Sequence, residues 1–252
     1  MLSPQSREYF LLYMDDLGDE VGFDEVQLID PPLKERIPEL SAMLNGAEPY
    51  LSYQATLMLT AWGEDIGLDK VEEIVEKEQL IGFQFSPNRI TGEDNIYDEL
   101  AYAVHLYCLS VGENKKVVEV FRKFLQIYSK YFFESKLKHS LMKHEFPILV
   151  PFIDEAIETT ALVGKNRQAS QLLPVLSKYD AQMGWHRVQK FSSVEPMSPS
   201  IVLNIIEALK YCNRDESKAL LHTYSLSEDR RISEEAKNSL AYISNNDEGS
   251  AI

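Results

Sequence analysis

Apolar residues recur along this chain with the period of an α-helix. Leu51, Ala55, Met58, Leu59 and Trp62 stand at i, i+4, i+7, i+8 and i+11, which puts them on one helical face. The same spacing returns at Val117, Phe121, Phe124, Leu125 and Tyr128, and again at Ile201, Ile205, Ala208, Leu209 and Cys212. Looser copies occur at Leu33, Ile37, Leu40 and Leu44, at Ile96, Leu100, Ala103, Val104 and Tyr107, and at Ile232, Ala236, Leu240 and Ile243. Strand-like alternation is confined to Ile81, Phe83 and Phe85, too short a run to imply a sheet. The pattern predicts an all-α fold.

Punctuation divides the pattern into separate helices. Ser3-Pro4, Asp30-Pro31 and Ser198-Pro199 each offer a capping side chain followed by proline at a first helical position, where the missing N–H is not needed. Asn45-Gly46, Gly112, Gly164 and Asn213 follow apolar faces and suit helix C-termini. Two longer stretches, residues 80 to 95 and 184 to 200, read as loops. No composition shift cuts the chain, so residues 1 to 244 are expected to form one all-helical domain, with the polar tail from 245 to 252 frayed.

A two-helix unit recurs in PELSAMLNGAEPYLSYQATLMLTAW and KALLHTYSLSEDRRISEEAKNSLAYI. In each, alanine (Ala55, Ala236) precedes leucine (Leu59, Leu240) by four residues in the second helix, so a small residue admits the first helix and leucine fills the groove beside it. These segments resemble HEAT repeats. The resemblance implies antiparallel helix pairs stacked into a curved solenoid, with Pro147, Pro151 and Pro174 disturbing the pattern between the two copies. An irregular helical bundle is the alternative.

Charge changes this picture. The net charge is −15, and residues 1 to 100 alone carry 22 Asp and Glu against 6 Lys and Arg. A field of that sign repels nucleic acid and anionic membranes and speeds encounter with a basic partner. Asp69, Glu72, Glu73 and Glu76 form a carboxylate stripe opposite Leu68, Val71, Ile74 and Val75 on one helix. Such like charges repel by a few tenths of a kcal/mol per close pair unless something positive meets them. Asp15, Asp16, Asp19, Glu20, Asp24 and Glu25 cluster at a helix end and its following loop, where the helix dipole disfavours carboxylates. The opposite sign appears once, in Lys115, Lys116, Arg122, Lys123, Lys130, Lys136, Lys138 and Lys143. Lys116, Lys123 and Lys130 lie off the apolar face and read as a solvated surface.

Catalytic signatures are missing. There is no Gly-rich phosphate loop, no G-x-S-x-G elbow and no C-x-x-C pair. His144-Glu145 opens like a zinc-protease motif, but Ile148 occupies the place of the second histidine. DDLGDEVGFDE lacks the order of a calcium loop. Cys108 and Cys212 each fall inside an apolar helical stretch and read as reduced core residues. No cofactor, metal or enzymatic activity is expected. The N-terminal stretch has no signal-peptide pattern and no segment suits a membrane span, so a cytoplasmic protein, monomeric when free, is expected.

In size, acidity and the stretch YLSYQATLMLTAWGEDIGL, the chain resembles bacterial immunity proteins of contact-dependent growth-inhibition toxin systems. That resemblance implies a binding protein that neutralises a toxin domain, often a basic nuclease, and carries no catalytic residue across. The two acidic clusters are then the candidate contacts, with Phe83 and Phe85 as aromatic anchors alongside Tyr50, Tyr53 and Trp62. A helical-repeat adaptor and a nucleic-acid-acting helical-repeat enzyme are the alternatives, and overall charge opposes the latter.

Overall fold

The computed structural model describes residues 3–80, 82–193 and 197–249, the side chains of 247–249 excepted. Among them the chain is helical, with no strand beyond the isolated bridges Met14–Glu20 and Pro87–Asp94. Ile81 lies outside the described residues, and Phe83 and Phe85 lie in a loop. The helices begin with α1 (Arg7–Tyr13), α2 (Phe23–Gln27), α3 (Ile37–Met43), α4 (Pro49–Ala61), α5 (Asp65–Lys77), α6 (Ile96–Val111) and α7 (Lys115–Ile127). They continue with α8 (Lys136–Lys143), α9 (Val150–Leu162), α10 (Asn166–Gln171), α11 (Leu173–Tyr179), α12 (Ala181–Phe191), α13 (Pro199–Cys212), α14 (Asp215–Ser225) and α15 (Arg230–Gly249). Contacts divide the chain into two compact units, Met1–Phe124 and Leu125–Ile252. Among the described residues no helix is long and apolar enough to cross a membrane.

In the first unit α4 is the hub, packed against α1, α2, α3, α5 and α6. Its apolar face is legible in the sequence, yet residues Tyr53 to Ala61 are buried without a break. A helix covered on every side has to meet most of its polar groups internally, and of the buried side-chain polar atoms of α4 only the Tyr53 hydroxyl and Gln54 Oε1 are left without a partner among the described residues. The Thr56 hydroxyl donates to the Ser52 carbonyl and the Thr60 hydroxyl to the Thr56 carbonyl, both at 2.7 Å, while Gln54 Nε2 donates to the Tyr13 hydroxyl at 2.6 Å. Trp62 closes the core with Leu11, Leu12, Val26, Leu40 and Met58, its indole N–H reaching the Val26 carbonyl at 3.3 Å. Ala55 and Ala236 are fully buried, and the α4–α5 pair in addition needs Gly67. A Cβ there would sit 2.5 Å from the Thr60 nitrogen and 2.8 Å from the Leu59 carbonyl carbon.

The N-terminal segment is held by a buried cation. Arg36, 2% exposed, donates from Nη1 to the carbonyls of Phe10 (3.3 Å), Leu11 (3.1 Å) and Met14 (2.7 Å), and from Nη2 to that of Asp15 (2.6 Å). The Leu11, Met14 and Asp15 carbonyls lie at the end of α1, where helical N–H partners run out and the helix dipole gathers negative charge, while the Phe10 carbonyl also accepts from the Met14 N–H at 3.4 Å. Burial pulls the guanidinium pKa down, and the Phe10 ring lies 4.8 Å beneath it.

In the second unit α13 is the hub, packed against α10, α11, α12, α14 and α15. Arg187 of α12, 7% exposed, grips Asp154 of α9 with two nitrogens and Glu158 at 2.8 Å. Pro147, Pro151 and Pro174 occupy first-turn positions, where they start helices rather than interrupt them.

Some boundaries differ from the sequence reading. Ser6, rather than Ser3, caps α1 by accepting from the Tyr9 N–H at 3.2 Å. Asp30-Pro31 lies in a loop ahead of the 3-10 turn Lys34–Arg36, and α3 starts only at Ile37. Ser198-Pro199 does begin α13, and Asn213 ends it in the left-handed conformation. The predicted loop 184 to 200 is helical as far as Phe191, because Gly184, Val188 and Phe191 line one buried face at helical spacing. Residues 194–196 within it lie outside the described residues. At the C-terminus α15 covers 245–249, where fraying was expected, and residues 250–252 lie outside the described residues.

Candidate functional site

The carboxylate stripe of α5 meets its cations inside the chain. Lys116 of α7 pairs with Asp69, while Lys123 one heptad later bridges Glu72 at 2.8 Å and Glu76 at 3.0 Å. Glu73 accepts from Lys70 and Lys77, both at 2.9 Å, and from Gln79 at 3.1 Å. These donors hold its pKa down at about 2. The like charges that the sequence left to be met by something positive are therefore met within the chain: besides Lys70 and Lys77 on α5 itself, the positive partner is α7, roughly fifty residues on. The apolar face opposite, Leu68, Val71, Ile74 and Val75, is buried as its spacing predicts.

The second acidic cluster divides by role. Asp15 is structural: its Oδ1 accepts from the N–H groups of Leu17 at 2.9 Å and Asp19 at 2.8 Å, and its N–H donates to the Asp19 carbonyl at 2.9 Å. Glu20 accepts from the Tyr9 hydroxyl at 2.5 Å. Asp24 and Glu25 stand in the first turn of α2, where a carboxylate is favourably placed, contrary to the helix-end reading. Asp16, Asp19, Asp24 and Glu25 are exposed and make no side-chain hydrogen bond or ion pair among the described residues. At the tip of this loop Leu17 is 82% exposed. Leu17 belongs to none of the helical faces legible in the sequence; its one signal there is an apolar residue on no such face, flanked by aspartates.

The aromatic residues sort by depth. Trp62 and Tyr53 are core residues, which removes both from the list of anchors. Phe83 is 39% exposed and stacks on half-buried Phe85 at 4.9 Å, and Phe85 in turn meets the rings of Tyr50 at 5.3 Å and Tyr53 at 5.5 Å. The loop continuing from them is closed on itself. Asn88 Oδ1 accepts from the Ile90 N–H at 2.9 Å and the Thr91 N–H at 3.0 Å, and Asp94 accepts from Ile96 and Ser86. It presents Ile90, 91% exposed, seven residues after Phe83.

The basic run is largely engaged. Besides Lys116 and Lys123, Arg122 pairs with Glu119 and Lys138 with Glu207. Both cysteines are free and buried. Among the described residues no group of three or more His, Cys, Asp or Glu is placed to hold a metal ion.

No family model, curated protein or solved structure matches the chain.

Proposed function

We propose that this chain is a protein-binding module whose acidic first unit captures a basic protein, and that neutralising a toxin domain is its biological task. The observation that carries the reading is the segment from Asp15 to Glu25, a loop and the first turn of α2. Four exposed carboxylates there have no internal ion pair among the described residues, and Asp16 and Asp19 flank a solvated leucine, Leu17, in sequence. Carboxylates of this kind raise the association rate with a basic surface, while an apolar side chain among them supplies contact area. The toxin setting rests on the resemblance to growth-inhibition immunity proteins. In the same reading, the packed pairs α3–α4 and α14–α15 are HEAT-like units of a solenoid.

The test is coexpression with the open reading frame immediately upstream. The reading expects a stoichiometric complex that forms more slowly as salt rises, and protection of cells producing the upstream C-terminal domain. Replacing Asp16, Asp19, Asp24 and Glu25 by their amides should slow association about tenfold at low salt. Absence of both complex and protection would overturn the proposal. The α5 carboxylates are poor choices for this test, since reversing them breaks internal pairs.

A further inference from the structure

An open groove of about 550 Å³ runs between the segment after α2, the end of α4 and the end of α6. Its banks are apolar and unfilled: Leu28 is 57% exposed, Leu109 67% and Val111 54%. Its floor is fixed, with Trp62 and Leu106 buried beneath and the Ser110 hydroxyl donating to the Ala61 carbonyl at 3.2 Å. Gly63, at φ +80°, brings α4 so close to α6 that a Cβ would lie 2.7 Å from Val111 Cγ2.

Two carboxylates, Asp30 and Glu64, line this groove, and neither makes a side-chain hydrogen bond or ion pair among the described residues. Lys34 is the one cation among the lining residues. The contrast with α5 is informative. There the carboxylates are spent on internal lysines; here they stand unpaired around exposed leucine and valine. The whole first unit carries 24 acidic against 10 basic residues, so the long-range field has the same sign as the rim.

We infer that this groove is the docking site for a basic segment of a partner protein that carries large apolar side chains between its lysines or arginines. The apolar side chains would seat between Leu28 and the Leu109–Val111 bank, and the cations would reach Asp30 and Glu64. An acidic amphipathic segment of the same shape is refused by charge. The inference deepens the protein-binding reading and rests on it, but names a surface lined by residues 27–34, 61–64 and 106–111, none of which is among the Asp15 to Glu25 carboxylates.

The probe is a fluorescently labelled peptide of about 14 residues, leucine and lysine in helical alternation, with a leucine and glutamate peptide as its counterpart. Binding to the full chain is read by anisotropy. Saturable one-to-one binding of the lysine peptide, with the glutamate peptide bound at least tenfold more weakly, is expected. Leu28→Ser with Leu109→Ser should weaken it about tenfold. Asp30→Asn with Glu64→Gln should weaken it severalfold and flatten its salt dependence. Leu28, Leu109 and Asp30 are exposed and Glu64 is half-buried, so unchanged melting of each variant verifies that the fold is kept. Tight binding of the lysine peptide that ignores both double variants overturns the groove while leaving capture of basic proteins intact. Equal binding of the two peptides overturns the groove and the charge basis of the protein-binding reading together. No binding of the lysine peptide overturns the groove alone, because coexpression tests the broader reading independently.

Discussion

Gly67→Ala sets two local effects against each other, and the structure decides the sign. Alanine is the better helix former by about 1 kcal/mol, so a view limited to α5 predicts stabilisation. The added methyl carbon, however, would stand 2.5 Å from the Thr60 nitrogen and 2.8 Å from the Leu59 carbonyl carbon. Both belong to the backbone of α4, which is buried on every side and cannot rotate away as a side chain can. Overpacking costs about 1–3 kcal/mol in a well-packed core, and backbone neighbours place this case at the upper end. The net expectation is a loss of about 2 kcal/mol, or roughly 6 °C in melting temperature for a unit of this size. A Trp185→Phe background leaves Trp62, in the core of the first unit, as the sole tryptophan. Its fluorescence then reports melting of that unit. A variant that melts at or above the parent temperature would refute the close helix approach.

Arg36→Met removes four hydrogen bonds from the end of α1 and should cost about 3 kcal/mol by urea titration; a midpoint shift worth under about 0.5 kcal/mol contradicts the capping role. Glu73→Gln tests the depressed carboxylate. With a folded pKa of about 2 against 4.5 unfolded, its stabilisation is complete above 4.5 and disappears as pH falls through about 2. The gap in melting temperature between parent and variant should therefore be widest near neutrality and close near pH 2, and be small throughout because the side chain is 36% exposed to screening solvent. A gap independent of pH would show that Glu73 acts through packing alone. Burial raises the thiol pKa of Cys212 and pushes that of Cys108 up to about 12. Aromatic disulfide reagents should leave both unmodified until the chain unfolds, and rapid labelling of the native chain would rule out their burial.

Helix faces were legible because each is a local property. Ile201, Ile205, Ala208, Leu209 and Cys212 share one spacing and are all buried, as are Val117, Phe121, Phe124, Leu125 and Tyr128. Breaks were less so: Gly184 looks like loop punctuation, yet it lets α12 pass Ser177 at a distance no other residue tolerates. The candidate site was legible only in part. Which aspartates face solvent depends on contacts that no window of sequence contains, such as Lys123 reaching Glu72 across 51 positions. Arg36 gave no warning of burial, since its partners are backbone carbonyls that any residues could supply. The groove beside Trp62 is likewise a product of packing, with one bank from residues 27–34 and another from 106–111.

The loop that carries Leu17 is shaped before any partner arrives. Asp15 gathers two of its backbone N–H groups, the Met14–Glu20 bridge closes its neck, and Arg36 holds the Asp15 carbonyl from beneath. Ordering a free segment surrenders about 1–2 kcal/mol per residue in backbone freedom, and a preformed loop has already met that demand during folding. On the proposed reading, complex formation there is governed by encounter and orientation rather than by a disorder-to-order step. A substitution at the buried Arg36 is then expected to loosen the loop and weaken capture from beneath the surface.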